Sequence, residues 1–192
     1  MRNLIEPNHS LNEIFEIVEG EFRKAVALKR HPFNYVTLST SDGTNVNSCY
    51  VVLRKFTDSN SFLIFTDTRS EKMQDLKGND NCSLLFYHNG KKLQVRVNGK
   101  AIIHKKNELT KQYWAGVKGN SDKAYTSVIP PGEKIKNPQE ALQWDKTLDS
   151  SQFVVLEILP TEIEALQLNR DEHIRAKFSN INGNLEATFL AP

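Results

Sequence analysis

Between Tyr35 and Ile103 the chain repeats one pattern: a short run of alternating apolar residues, a cluster of turn-forming residues, then another run. Tyr35 to Thr40 leads into Ser41-Asp42-Gly43, and Asn45 to Lys55 leads into Thr57-Asp58-Ser59-Asn60. Phe62 to Thr66 follows, and later Cys82 to Tyr87 and Lys92 to Ile103 flank His88-Asn89-Gly90. Period-two alternation sends every second side chain to the same face, and connections this short join antiparallel neighbours. The tail adds Gln152 to Leu159, Ile163 to Leu168, and Ile174 to Phe178 paired with Leu185 to Leu190 across a turn at 180–184. Strands at this spacing predict a mainly β fold, a small closed or split β-barrel with peripheral helices, which removes most exposed edges. A parallel α/β fold is disfavoured, because strand and helix do not alternate and no Gly-rich phosphate loop is present.

The helices are marked by caps and by three- and four-residue spacing. Ser10 and Glu13 form a capping box, and Leu11, Ile14, Phe15, Val18, Phe22 and Val26 give an amphipathic helix over about 11–29 that should lie on the sheet. Ser70 is placed to cap a short helix with Met73 and Leu76 that stops near Gly78. Asn107 to Val117 reads as another helix, with Leu109, Tyr113, Trp114 and Val117 on its apolar side and Gly119 at its end. The stretch from Asp122 to Asn137, with Ile129-Pro130-Pro131-Gly132, has no period and reads as a long loop of the kind that often carries function; Asn137-Pro138 restarts a brief helix. No composition break divides the 192 residues, so one domain is expected over 1–192, its C-terminal strand region at about 153–192.

Lys and Arg number 25 against 23 Asp and Glu, a net charge of +2. That imbalance is too small to predict a nucleic-acid or membrane partner, so any anion must be bound by local clusters. Cys49 and Cys82 fall inside predicted strands and make no disulfide framework, which suits a reducing compartment. The first residues contain no apolar core like that of a signal peptide, and no run approaches the length of a membrane span, so the expected location is cytoplasmic.

Chemistry concentrates where two predicted strands end. Thr66, Arg69, Ser70 and Lys72 offer a hydroxyl, a guanidinium, a second hydroxyl at a helix start and an ammonium, the donor types that hold a phosphate monoester. The same residues would also suit a solvated turn and an ordinary helix cap. Arg54 and Lys55 follow Tyr50-Val51-Val52-Leu53, and strand alternation sends these two cations to opposite faces. Gln94 lies between Leu93 and Val95 on the face of Arg96, where its carboxamide can both donate and accept at the edge of a ring. Together they describe a flat ligand along a barrel wall with its anionic tail gripped at one end, the shape of flavin mononucleotide (FMN). Histidines 9, 31, 88, 104 and 173 are widely separated and form no metal-ligand spacing, so no metal is expected. His173 stands beside cations at a strand entry, and Tyr113 and Trp114 fit either a helix core or a ligand contact. No Ser-His-Asp, Cys-His or P-loop arrangement supports a hydrolytic nucleophile.

Taken in order, Val51-Val52-Leu53-Arg54, Phe65-Thr66-Asp67, Arg69-Ser70-Glu71-Lys72, Leu84-Leu85-Phe86-Tyr87, Gln94-Val95-Arg96-Val97-Asn98-Gly99 and the terminal Leu190-Ala191-Pro192 resemble the pyridoxamine 5′-phosphate oxidase family, and more closely its related FMN-binding proteins. The likeness runs over residues 33–105 and more loosely over 153–192. It implies an FMN-binding split barrel that forms a homodimer with FMN between two protomers. Carried over, Tyr50, Val51, Val52, Leu53 and Arg54 would lie along the isoalloxazine and ribityl chain, Phe65 and Thr66 would flank the ring or tail, and Lys72 would bind the phosphate with Arg69 and Ser70. Gln94 would meet the ring edge, Arg175 would complete the site, and Tyr113 and His173 would face a small-molecule substrate.

The sequence departs from that family at informative positions. Cys49 and Glu71 stand where arginines are usual, Val117 and Asp171 replace cations of the vitamin B6 phosphate site, and Leu166 and Leu185 replace tryptophans. Ile129-Pro130-Pro131 lacks the Gln-Ser expected there, although Tyr113 and Ser121 align. The expected function is an FMN-dependent oxidoreductase taking hydride at flavin N5 from an unassigned substrate. The alternatives are a true pyridoxamine or pyridoxine phosphate oxidase using Lys118, Arg170 or Arg175 in place of the missing cations, a non-catalytic flavin-binding or stress-associated module, and a barrel that has lost flavin.

Overall fold

A computed structural model describes residues 3–117, 119, 121–145, 147, 149–169 and 172–192. Eight strands form one sheet: β1 (Tyr35–Ser41), β2 (Val46–Phe56), β3 (Phe62–Asp67), β4 (Asn81–His88), β5 (Leu93–His104), β6 (Phe153–Gln167), β7 (Ile174–Ser179) and β8 (Glu186–Leu190). Their order is β3-β2-β1-β4-β5-β6-β7-β8, and an extra β3–β6 pairing closes the first six into a barrel. The expected mainly β barrel is therefore what the chain forms. The interior is filled by one residue in two from each strand, among them Val36, Leu38, Leu53, Ile64, Leu84, Val95 and Leu156.

Helix α1 (Leu11–Ala27) starts at the predicted capping box, with Ser10 and Glu13 bonded reciprocally. Its Phe22 packs against Phe33, Phe56, Phe62 and Phe86, so the helix plugs the barrel with its apolar stripe. Helix α2 (Glu71–Gly78) connects β3 to β4, and α3 (Glu108–Val117) follows β5. Leu109, Tyr113, Trp114 and Val117 of α3 cover a second cluster on the outside of β3 and β6, built on Leu63, Phe65, Phe153 and Val155. Gly119 takes φ +80° after that helix, the left-handed conformation that glycine adopts without strain.

Two expectations are corrected. The tail strands read as separate at Leu159 and Ile163 are one strand, β6, running through Pro160. Proline sits there at a break on one edge of β6, which pairs with β3 up to Ile158 and with β7 from Glu162, while Gly99 of β5 faces Pro160 on the other edge. The β5–β6 register shifts at the same place, between Asn98 and Gly99. Gly99 lies so close to β6 that a Cβ would stand 2.4 Å from the Leu159 carbonyl oxygen, so the bulge requires glycine. The turn expected at His88-Asn89-Gly90 forms, with Lys91 N–H closing it onto the His88 carbonyl and Lys92 carrying a left-handed φ of +54°. Finally, Ser70 occupies the N-cap position of α2 but makes no side-chain cap; its hydroxyl donates backwards to the Asp67 carbonyl at 2.9 Å.

The loop after α3 is ordered by partners at both ends. Ser127 bridges to Trp144, Asp145 N–H bonds the Thr126 carbonyl at 2.7 Å, and the Lys123 ammonium sits 4.7 Å over the Trp144 ring. The brief helix expected after Asn137 is a 3₁₀ turn over Pro138–Ala141. No helix among the described residues is long and apolar enough to cross a membrane.

Candidate functional site

The alternation of β2 divides its predicted contacts into two sets. Val51 and Leu53 are buried in the barrel interior, so only their main chain faces outward, whereas Tyr50, Val52 and Arg54 project from the outer wall. Arg54 is exposed; its guanidinium lies 5.6 Å from the centre of the Phe65 ring and meets the Tyr125 hydroxyl. Burial raises the Tyr125 hydroxyl pKa, and the nearby Arg54 charge opposes that rise. Tyr113 packs on the Phe65 ring at 5.1 Å, so Arg54, Phe65, Tyr113 and Tyr125 make an aromatic wall carrying one cation. Arg54 and Lys72 have no ion pair among the described residues, so each keeps its charge for another anion.

At the corner between β3 and α2 the fold gathers Thr66, Ser70 and Lys72. The Thr66 and Ser70 hydroxyls are 3.4 Å apart and both buried. Because Ser70 turns its hydroxyl away from the helix, the first amides of α2 have no side-chain cap, and half-buried Lys72 lies in that same first turn. Uncapped amides, an ammonium and the Thr66 hydroxyl together form a donor set for a phosphate monoester, whereas the Ser70 proton is already given to the Asp67 carbonyl.

Arg69 is drawn out of that set. It grips Asp67 through Nε at 3.0 Å and Nη2 at 2.7 Å, and it donates to the Ser127 carbonyl at 2.8 Å and the Val128 carbonyl at 3.3 Å. The adjacent carboxylate raises the guanidinium pKa further, and the side chain staples the 127–128 loop to the barrel. Its charge is largely taken up by Asp67, which sets it apart from Lys72 in the expected phosphate grip. A cavity of about 660 Å³ beside it, lined by Arg69, Glu71, Lys77, Lys105 and Pro130–Glu133, carries both signs of charge.

Gln94 and Arg175 lie elsewhere on the outer wall. Gln94 of β5 pairs with Leu166 of β6, and Leu166 pairs with Arg175 of β7. Arg175 donates to Glu164 at 2.9 Å, and His173 is exposed with its Nδ1 accepting the Asn169 N–H. His173 and Arg175 line a shallow cavity of about 340 Å³ with Pro7, Phe189 and Leu190. Lys118, Arg170 and Asp171 lie outside the described residues.

The histidines are not all isolated, as their separation in sequence had implied. Glu21, His31 and His88 converge so that their ligand atoms lie within 4.8 Å of one another, the one such group among the described residues. Their hydrogen bonds favour proton sharing over metal ligation. His31 Nδ1 accepts Phe33 N–H and His88 Nδ1 accepts Lys91 N–H, so each neutral ring carries its proton on Nε2, the atom facing the Glu21 carboxylate. A metal on those nitrogens would move each proton to Nδ1, against a backbone N–H. Lys24 takes the other Glu21 oxygen at 2.6 Å, and the cluster clamps α1 to the β4–β5 turn. Only long-range contact brings it together, so no spacing could have revealed it.

The comparisons with known proteins agree with this geometry. Residues 18–105 match the sequence profile of the family described as "Pyridoxamine 5′-phosphate oxidase, FMN-binding domain". The pyridoxine/pyridoxamine 5′-phosphate oxidase of Pseudoalteromonas translucida is 34% identical over 101 residues, 53% of this chain and 48% of that protein. The chain thus matches about half the length of such curated relatives or less. Among solved structures, a pyridoxamine 5′-phosphate oxidase-related FMN-binding protein from Nostoc punctiforme superposes with a TM-score of 0.74 at 19% identity, covering 96% of this chain and 100% of that one. PhzG from Burkholderia lata, in complex with tetrahydrophenazine-1-carboxylic acid, gives a TM-score of 0.73 at 18% identity, covering 98% of each chain. The barrel and the matched profile agree: residues 18–105 are similar to the FMN-binding domain of pyridoxamine 5′-phosphate oxidases, and the chain has the fold of the FMN-binding split-barrel proteins.

Proposed function

We propose that this protein is an FMN-dependent oxidoreductase that works as a homodimer, with each flavin held between two protomers. The observation that carries this reading is the division of the site residues over the outer wall. The register runs Tyr50, Thr37, Leu85, Arg96, Glu164, Lys177 from β2 to β7. Five steps of about 4.8 Å span roughly 24 Å of curved wall between the Tyr50–Arg54 strand and the strand of Arg175. A second copy facing this wall would bring its own Gln94 and Arg175 to the Tyr50–Arg54 strand of the first. The wall between them exposes Tyr35 (63%), Tyr50 (77%), Leu85 and Tyr87, an apolar surface suited to a second copy.

In that arrangement Lys72, the Thr66 hydroxyl and the first amides of α2 hold the phosphate, and Ser70, bonded to the Asp67 carbonyl, leaves those amides open. Arg54 and Phe65 border the flavin and its substrate, while Gln94 and Arg175 of the other protomer meet the ring. Bound FMN supplies hydride acceptance at N5 and passage of electrons to a second acceptor. The protein's part is to orient the ring and keep water from it, which explains why no acid–base pair stands out. His173 and Tyr113 are the substrate-side residues. The substrate is a small molecule and nucleic acid and membrane have no part in binding it; two unpaired cysteines support a cytoplasmic setting.

A true vitamin B6 phosphate oxidase is the second reading, favoured by the half-buried Tyr113 beside Arg54 and Phe65. The purified protein is expected to show flavin absorption that a reductant substrate bleaches under anaerobic conditions. Pyridoxine and pyridoxamine phosphates decide between the readings by whether they yield aldehyde. A bound flavin that no amine, alcohol or nicotinamide donor reduces would instead indicate the non-catalytic module.

A further inference from the structure

Glu164 is nearly buried on the outer wall of β6, between two arginines. Arg96 Nη2 reaches its Oε2 at 3.0 Å and Arg175 Nη2 reaches its Oε1 at 2.9 Å. Arg96 stands opposite Glu164 in the β5–β6 register, two residues from Gln94 on the same face. Arg175 stands opposite Leu166, the partner of Gln94. These four polar side chains therefore form one contiguous patch. Each guanidinium touches Glu164 through a single nitrogen, and each Nε is buried without a partner, a costly arrangement unless the position of the cation matters. The two side chains remain 41% and 30% exposed, so their outer edges stay available. Lys177 and Glu162, one step away, neutralise each other at 2.6 Å. Two guanidiniums sharing one carboxylate leave one positive charge beside Gln94.

We propose that Glu164 is a positioning residue, and that it presents Arg96 together with Arg175 as a fixed positive edge for the electron-rich, carbonyl-bearing side of the flavin ring. This rests on the FMN reading above and adds two residues, Arg96 and Glu164, to the side that Gln94 and Arg175 define. Reduction places negative charge on that side of a flavin, and a preorganised cation there stabilises the reduced form more than the oxidised one. The carboxylate fixes the guanidiniums, so its own negative charge is outweighed by the geometry it imposes.

The test compares FMN affinity, by fluorescence titration, and the midpoint potential of bound FMN in wild type, Arg96→Gln, Glu164→Gln, the double variant and Lys177→Gln. Arg96→Gln is expected to weaken FMN binding about tenfold, the scale of one lost charge-assisted hydrogen bond, and to shift the potential downward. Glu164→Gln makes the patch more positive, so a bystander carboxylate predicts tighter FMN and an upward shift; a positioning role predicts weaker FMN and a downward one. The double variant should resemble the worse single variant, because the two residues act as a unit. Lys177→Gln should leave both readouts unchanged. Thermal unfolding of each variant separates loss of fold from loss of site, and Arg96→Gln, at a partly exposed position, keeps the test open if Glu164→Gln fails to fold. Folded Arg96→Gln and Glu164→Gln proteins with wild-type affinity and potential, or a Glu164→Gln protein that binds FMN more tightly, would overturn the proposal while leaving the FMN reading intact. A wild-type protein that takes up no FMN overturns both.

Discussion

The corner where β3 meets α2 and the outer wall of β5 to β7 are both rich in arginine and lysine, but they use charge in opposite ways. At the corner, Arg69 is consumed by Asp67 and serves as a staple, and Lys72 and Arg54 are left without ion pairs among the described residues. On the wall, a single buried carboxylate holds two guanidiniums in place. Counting cations would have ranked Arg69 first among the phosphate ligands. What separates a structural cation from a ligand-binding one is the partner it already has in the fold.

The contrast at the corner is broken or sharpened first by Lys72→Ala against Arg69→Ala. Lys72→Ala should weaken FMN binding by about 10- to 100-fold, the range of a lost charged hydrogen bond of about 1.5–3 kcal/mol. Arg69→Ala should change FMN affinity only slightly, yet make the 127–128 loop more susceptible to limited proteolysis. Equal losses of affinity in the two variants would place Arg69 back among the phosphate ligands.

Gly99→Ala tests whether the wall is held in register by the bulge at Pro160. A methyl group 2.4 Å from the Leu159 carbonyl forces the strands apart, so urea unfolding should show a loss of about 1–3 kcal/mol. Wild-type stability would mean that β5 and β6 can separate there without cost.

A third expectation concerns the clamp between α1 and the β4–β5 turn. Burial lowers the His88 pKa below 6.5, Glu21 raises it in part, and His31 and Lys91 lower it again. A histidine whose folded pKa is depressed binds fewer protons folded than unfolded. Its effect on stability is therefore absent at high pH and appears as a loss when the pH falls through the unfolded value near 6.5. Thermal unfolding from pH 8 to pH 5 should show a drop that His88→Gln reduces; an unchanged profile in that variant counts against the clamp. The smallest effect expected is chemical. Burial pushes the Cys82 thiol pKa up to about 12, so at neutral pH a thiol reagent should label half-buried Cys49 well before Cys82.

Much of the fold was legible because it is written locally. Short apolar runs between turn residues marked the strands from β1 to β5, and Ser10 with Glu13 marked the start of α1. Pro160 misled because proline in a run of strand residues normally signals a break, and here it falls where one edge of β6 passes from β3 to β7. At the site, the order of Arg54, Phe65, Thr66, Lys72 and Gln94 was readable, but the partners of the cations were not. Asp67 lies two residues from Arg69, yet its grip depends on the turn after β3. Glu164 is distant in sequence from Arg96 and reaches it only through the β5–β6 register. Glu21, His31 and His88 meet only because a helix, a turn and a strand end converge.

The central claim is that two copies of the chain build each FMN site, and complementation tests it most directly. Lys72→Ala damages one half of the site and Arg175→Ala the other, and each variant alone should bind FMN weakly. When the two are unfolded together and refolded as a mixture, mixed dimers contain one site with both halves intact, so tight FMN binding should reappear in a fraction of the sites. A mixture that binds FMN no better than the separate variants, with dimer exchange demonstrated, would contradict the account and place the whole site within a single chain.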